Sequence, residues 1–198
     1  MEPAVETMIF SLDGQSDHTI DLSQNACLLN RKFFRQGLDW AVAGFTVLSE
    51  GQTGTVSFAK IPSNWISANS WKKSFAAWDR MNKEALSESE SIAPRFLDFK
   101  VFMDSIHHAA GVGNNAIAGM GVPLTPLTPG EWDYSKFIIP IGTASAGATG
   151  DREVLWTGAN YPGLGASGLD AVSMIEGYAA SRALPDVLDP NTPDDAAC

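Results

Sequence analysis

The stretch SWKKSFAAWDRMNKEAL, residues 70–86, decides how the centre of the chain folds. At 100° per residue, its large apolar side chains and one alanine fall within a single arc: Trp71, Phe75, Trp78, Met81 and Ala85. The opposite arc is basic and contains Lys72, Lys73, Arg80 and Lys83. This pattern predicts an amphipathic helix of about four to five turns.

The two faces of this helix have different interpretations. Tryptophans on an apolar arc are typical of a buried face, so we expect the helix to cover the end or flank of a β-sandwich. The basic arc is typical of a solvated helix face. A contact with nucleic acid is the alternative for the basic arc, because phosphate binding needs clustered cations.

The segments around this helix favour strands. Residues 38–48, LDWAVAGFTVL, and residues 55–61, TVSFAKI, are β-type runs separated by a turn, and they predict a hairpin. Residues 94–104, PRFLDFKVFMD, form the clearest strand pattern of the chain. Shorter strand candidates cover residues 7–12, 131–141 and 152–158. Further helices are predicted from Ser23 and over residues 169–184.

This order of elements predicts a mainly β fold. Strands and helices do not alternate closely enough for a doubly wound parallel sheet. A jelly-roll-like antiparallel β-sandwich with α-helical insertions fits the pattern better. We expect one domain over residues 1–185 and a disordered tail over residues 186–198, which are rich in Pro and Asp.

Composition narrows the possible partners. The net charge is −10, and residues 1–30 carry five acids without a Lys or Arg, which argues against a stand-alone nucleic-acid binder. No apolar run reaches the roughly 18 residues that span a bilayer, and no secretory signal pattern is visible, so we expect an intracellular protein with no membrane partner. The two cysteines, Cys27 and Cys198, predict free thiols.

Catalytic and metal motifs are weak in this sequence. Adjacent His107 and His108, preceded by Asp104, lack a third histidine nearby, and local hydrogen bonding explains them better than a metal does. Residues 111–116, GVGNNA, partly match a dinucleotide-binding fingerprint. This fingerprint requires a strand before it and a helix after it, and the sequence predicts neither here. We therefore expect no enzyme activity, no metal and no cofactor. A hydrolase that uses the two histidines remains a further hypothesis.

A second cluster mixes cations with aromatic rings at residues 30–37, NRKFFRQG. Cations for phosphate and rings for base stacking are typical of single-strand binding. A helix end, with phenylalanines in the core and cations near the C-terminal dipole, is the other interpretation. The candidate nucleic-acid-binding residues are Arg31, Lys32, Arg35, Lys72 and Lys73.

Four ordered blocks resemble capsid proteins of small circular Rep-encoding single-stranded DNA viruses. The blocks are IDLSQNACLLNRKFFRQGLDWAVAGFTV (20–47), IPSNWISANSWKKSFAAWDRMNKEAL (61–86), APRFLDFKVFMDSIHHAAG (93–111) and EWDYSKFIIP (131–140). The resemblance implies a jelly-roll shell subunit that self-assembles around a small circular single-stranded DNA genome. It also implies a location in the virion, and in the host cell before assembly. Such proteins usually carry a basic N-terminal arm, whereas the first thirty residues here are acidic.

A cellular protein is the alternative to a shell subunit. An intracellular ligand- or carbohydrate-binding β-sandwich module can have the same jelly-roll architecture. Self-assembly separates the two hypotheses, because a shell subunit must present several contact surfaces to further copies of itself. For a shell subunit, single-stranded DNA would be a further partner, bound weakly through this acidic chain.

Overall fold

The computed structural model describes residues 5–13, 17–51, 54–87, 98–140 and 149–183. The helices are α1 (Leu22–Asn30), α2 (Trp65–Leu86), α3 (Ser105–Ala110) and α4 (Met174–Ala183), with a 3₁₀ turn at Val112–Asn114. The strands are β1 (Gly119–Met120), β2 (Thr125–Pro126), β3 (Lys136–Pro140), β4 (Thr149–Leu155) and β5 (Ala171–Ser173).

The larger sheet has three strands in the order β3-β4-β5. Strands β3 and β4 are antiparallel, whereas β4 and β5 are parallel. An extended segment, residues 98–104, lies against the end of β4, where Phe102 N donates to Val154 O at 2.9 Å. On its other side, Lys100 O accepts from Ser135 N at 2.9 Å. This segment therefore separates the end of β4 from the residues that precede β3.

Helix α2 covers one face of this sheet. Phe99 is fully buried, and its ring centroid lies 5.6–5.9 Å from those of Trp71, Phe75 and Trp78. The helix begins where Asn64 Oδ1 accepts from Ser67 N at 2.8 Å, as an N-cap does. The amphipathic helix predicted from residues 70–86 is confirmed, and its aromatic face does pack into the core.

The second face of the sheet carries a separate core. This core contains Phe102, Trp132, Tyr134, Leu155 and Ala171. Helix α1 contributes Cys27 to its edge, and the helix starts at the Asp21 cap, close to the start predicted from Ser23. Because residues 98–104 bury side chains on both faces, they form the central layer between α2 and α1.

One charged residue of this central layer is buried. Lys100 forms an ion pair with Asp98, and its Nζ lies 4.1 Å from the centroid of the Trp132 ring. A buried ammonium group needs such partners, because burial without them is costly. Of the strand predicted over residues 94–104, the described residues 98–104 form an extended segment with one isolated bridge to β4, at Phe102, and Lys100 within this segment is buried.

The predicted jelly-roll-like, mainly β sandwich is wrong. The fold is mixed α/β, with one sheet of two strands and one of three, and helices rather than a second large sheet cover the three-stranded sheet. The predicted hairpin of residues 38–48 and 55–61 forms no strands. The same holds for residues 7–12, where only Ile9 O accepts from Gly119 N at 2.8 Å.

Other predicted segments are confirmed in part. The strands predicted over residues 131–141 and 152–158 contain β3 and the second half of β4. The helix predicted over residues 169–184 begins only at Met174, because Ala171–Ser173 pairs with β4 as β5. Residues 94–97 and the predicted tail, 186–198, lie outside the described residues, and the single-domain boundary at 185 stays a prediction.

Candidate functional site

An exposed apolar arm is the most unusual surface of the protein. We define it as residues 38–48 and 54–60, which precede α2. Its large apolar side chains are between 38 and 93 % exposed, and they are Leu38, Trp40, Val42, Phe45, Val47, Leu48, Val56 and Phe58. Soluble monomers rarely expose so many neighbouring apolar groups, and such surfaces mark interaction sites.

Among the residues that the structure describes, few contacts hold the apolar arm to the body. At its base, Trp40 Nε1 donates to Ser23 Oγ at 3.2 Å, and the Trp40 ring lies 5.8 Å from that of Phe34. Farther out, the rings of Phe45 and Phe58 stack on each other. Within the described ranges, no backbone hydrogen bond joins residues 38–48 to residues 54–60. The arm thus has the composition of strands without the pairing of strands.

Strand β3 offers an open sheet edge. Among the described residues, β3 pairs only with β4. Ser135 N donates to Lys100 on the β4 side, and successive N–H groups alternate, so those of Lys136 and Ile138 point away from β4. The backbone of Pro140 faces the same side as those of Lys136 and Ile138. Because proline has no N–H, no donor is left unpaired at this position, which suits an edge strand. The Ile138 side chain is also 55 % exposed.

The structure gathers the first three candidate cations at the end of α1. Arg31 caps the helix in the left-handed conformation, with φ 48°, and all three cations are exposed. Lys32 Nζ lies 5.9 Å from the Phe34 ring centroid, and Arg35 Cζ lies 5.8 Å from that of Phe75. Cation–π contacts of this kind orient the cations without neutralising them. The cluster is therefore positively charged and accessible.

The structure separates the two candidate lysines of α2. Lys72 is exposed on α2. Lys73 instead faces α4, where its Nζ donates to Ser181 Oγ at 3.0 Å and lies 5.1 Å from the Tyr178 ring centroid. Lys72 is therefore accessible to a partner, whereas Lys73 helps to dock α4.

His107 belongs to a buried hydrogen-bond network. Its Nδ1 accepts from Met103 N at 3.1 Å, so Nε2 carries the proton and donates to Asn115 Oδ1 at 2.7 Å. Asn115 Nδ2 in turn donates to Gln24 Oε1 and Tyr134 Oη. Burial lowers the pKa of His107, and the hydrogen bond to Asn115 opposes this shift. The network joins α3 to α1 as a structural element.

His108 has a different partner and is fully buried. Its Nε2 lies 2.6 Å from Glu153 Oε2, which also accepts from Ser167 Oγ at 2.7 Å. In a hydrolase triad the imidazole must accept from the nucleophilic hydroxyl. Here the serine and the histidine both donate to the carboxylate, so this geometry does not activate the serine. The hydrolase hypothesis therefore has no support from this group.

The remaining sequence motifs also have structural roles. Asp104 caps α3 by accepting from His107 N at 2.9 Å, which explains why an acid precedes the histidines by three residues. The part of the chain that the structure describes contains no group of three potential metal ligands. Gly111 precedes a 3₁₀ turn and Gly113 lies inside it, so residues 111–116 form no strand-to-helix junction and the dinucleotide fingerprint is a coincidence of sequence.

Three surfaces of the described residues are candidates for contact with a partner. The apolar arm and the β3 edge are suited to protein association, and the cations at the end of α1 are suited to a polyanion. Across the described ranges, no helix has the length and apolar character to cross a membrane. Comparison of the chain with family models, with curated proteins and with solved structures found no match.

Proposed function

We propose that this chain is a self-assembling shell subunit of a virion that encloses a small circular single-stranded DNA genome. The observation that carries the proposal is the exposed apolar arm. The viral assignment rests on the sequence blocks that resemble capsid proteins. The mixed α/β fold replaces the jelly roll in this proposal, and no catalytic role is included.

The physical argument concerns what the apolar arm gains by association. Apolar surface removed from water contributes about 25 cal/mol per Å². The arm also has backbone donors and acceptors that pair with no described strand, and such segments tend to pair with another chain. Both contributions favour contact between copies over a free monomer.

Charge sets the conditions under which copies associate. Each chain carries a net charge of −10, so copies repel one another at low ionic strength. Salt screens this repulsion, with a Debye length of about 10 Å at 0.1 M. We therefore expect self-association to strengthen as salt is added, unlike DNA binding, which salt weakens.

The proposed DNA contact involves the cations at the end of α1. Arg31, Lys32 and Arg35 are exposed, and the neighbouring Phe33 ring is 41 % exposed. Cations with an accessible ring can bind phosphate and stack on an unpaired base. The acidic remainder of the chain keeps this binding weak, so we propose that DNA is a secondary partner.

The test is assembly of the purified chain. Negative-stain microscopy and analytical ultracentrifugation should show closed particles of uniform size that become more abundant with protein concentration and salt. The double variant Val42→Ser, Val47→Ser should remove them, because both side chains belong to the apolar arm. Leu164→Ser is the control, because Leu164 is apolar and more exposed than either valine but lies outside the arm.

The opposite result is equally clear. A chain that stays monomeric at every salt and protein concentration would contradict the proposal. The ligand- or carbohydrate-binding alternative was based on a β-sandwich, and the small sheets of this fold remove that basis. A monomer whose melting temperature rises with added carbohydrate would nevertheless restore a binding role.

A further inference from the structure

We propose that residues 38–48 of one copy add as an extra strand to the open edge of β3 in a second copy. This inference rests on the proposed self-assembly and assigns the two surfaces that meet. The incoming strand is the first stretch of the apolar arm. The receiving strand is Lys136–Pro140.

The incoming stretch already has the properties of a strand. Leu38, Trp40 and Val42 place an apolar side chain at every second position, which is the period of a strand with one buried face. Residues 38–48 have the amino-acid composition of a strand, but they form no backbone hydrogen bonds with any other described segment. Their N–H and C=O groups are therefore available to a new neighbour.

The receiving edge has the matching groups. The N–H groups of Lys136 and Ile138 point away from β4, and the carbonyl oxygens of the same residues share that direction. Addition of a strand to such an edge gives main-chain hydrogen bonds together with contacts between alternate side chains. Ile138, which is half exposed, would be covered by the apolar side chains of the incoming strand.

Charge favours a second copy as the occupant. The chain as a whole is strongly acidic, but the apolar arm carries only Asp39 and Lys60, which cancel. Strand β3 carries one charge, that of Lys136, and it is positive. Within the arm, the incoming stretch of residues 38–48 carries only the negative charge of Asp39, which is opposite in sign to Lys136, so two copies attract rather than repel where this stretch meets the edge.

The two docked segments are short. The incoming stretch contains 11 residues and β3 contains 5. A stable protein interface uses about 20–30 residues on each side, so this strand addition is one part of a larger interface between the copies. Each copy has one arm and one β3 edge, so the contact is either reciprocal, which gives a dimer, or head-to-tail, which gives a ring or a filament, and a closed shell needs further contact surfaces besides this one.

Cross-linking between copies tests the contact directly. In a Cys27→Ser, Cys198→Ser background, copies with Val42→Cys are mixed with copies with Ile138→Cys and oxidised. The control mixture replaces Ile138→Cys by Leu164→Cys, which is exposed away from this edge. Docking raises the effective concentration of the paired thiols, so we expect about tenfold or more 42–138 than 42–164 cross-links.

Hydrogen exchange of the unmodified chain provides a measurement that no substitution can disturb. Amide exchange rates are measured at one protein concentration below and one above that at which the chain self-associates. The two rates are then compared for residues 38–48, for β3 and for β4. We expect the amides of residues 38–48 and those of Lys136 and Ile138 to slow together on association. The amides of Val154 and Leu155 are buried in each copy and should not change.

The outcomes separate this inference from the proposed function. Equal yields of 42–138 and 42–164, or a predominance of 42–42 cross-links, would overturn the docking of the arm on β3. Either result in the presence of closed particles would leave the shell subunit intact. A chain without self-association at any concentration would overturn both.

Discussion

The rings of Phe45 and Phe58 stack with their centroids 4.0 Å apart and their planes at 11°, although more than half of each side chain is exposed to solvent. This stack is the described contact between the two stretches of the apolar arm. An aromatic pair contributes about 0.5–1.5 kcal/mol beyond its buried area. The arm is therefore held together weakly and can exchange its contacts with another copy at low cost.

Replacement of both rings, Phe45→Ser with Phe58→Ser, should weaken self-association and spare the folded monomer. We expect the free energy of unfolding to fall by no more than about 1.5 kcal/mol, because the pair lies outside both cores. Urea denaturation measures the stability, and sedimentation measures the association. A loss of several kcal/mol would show that the stack belongs to the cooperative core.

Trp78→Ala should cost about 3 kcal/mol, the lower end of the range for large aromatic side chains. The Trp78 ring packs on those of Phe99 and Phe75 but remains partly accessible. Trp65→Ala on the same helix is the matched control, because Trp65 is 56 % exposed. Its loss should cost less than about 1.5 kcal/mol, since only surface ring and cation–π contacts disappear. Equal costs in denaturant melts would contradict the packing of α2.

Gly37→Ala should be more destabilising than Gly51→Ala. Both glycines have positive φ, 86° and 72°. An alanine in this left-handed conformation costs about 1–2 kcal/mol of stability at either position. Only at Gly37 would the added Cβ meet a neighbour, Trp71 Cε2, at 2.5 Å. We expect the difference in unfolding free energy to be about 1–3 kcal/mol, as for overpacking. Equal stabilities would mean that Trp71 moves aside freely.

Local patterns predicted the helices better than the sheets. The 3.6-residue period of residues 70–86 depends only on neighbours along the chain, so it identified both α2 and its buried face. Residues 38–48 have equally strong β propensity, but a strand also needs a partner at a distance in sequence. The described residues of the same chain include no such partner, and the prediction of a β-sandwich was therefore wrong. The interruption at Ala171–Ser173 has the same origin, because its partner, β4, is contributed from elsewhere in the chain.

The candidate site was predictable to a similar extent. The sequence places Arg31, Lys32 and Arg35 within five residues, and the structure leaves all three exposed, whereas their binding of nucleic acid stays a prediction. The sequence could not show that Lys73 faces α4, because the docking of two helices depends on surfaces distant in sequence. The capping role of Asp104 was available from its spacing to His107, whereas the burial of both histidines was not. The β3 edge became visible only from the topology of the sheet.

Acid should destabilise the protein through His107. Burial lowers the pKa of this side chain in the folded state, although Asn115, Asp21 and Asp104 act in the opposite direction. The unfolded chain then binds a proton at higher pH than the folded chain does, so stability is complete above about pH 6.5 and is lost as pH falls through the lower folded pKa. Denaturation at a series of pH values measures this loss.

His107→Gln provides the comparison for the pH series. The variant lacks the imidazole, so its stability should be lower near neutral pH but should depend less on pH below about 6.5. His18→Gln is the control, because His18 bonds Asp13 near the surface rather than the buried network. An unchanged pH profile in the His107 variant would assign the acid sensitivity to other groups.

The cations at the end of α1 should give weak, salt-dependent binding of single-stranded DNA. Each phosphate contact contributes about 0.7 to the slope of log affinity against log salt, so three cations predict a slope near 2. Fluorescence anisotropy with a labelled oligonucleotide at several salt concentrations measures this slope. Replacing Arg31, Lys32 and Arg35 by Gln should remove most of it. Lys73→Gln is the control and should leave the slope unchanged, because Lys73 is engaged with Ser181 and Tyr178. If the triple variant keeps the full slope, the three cations are not the DNA contact, and their role is confined to the ring contacts at the end of α1.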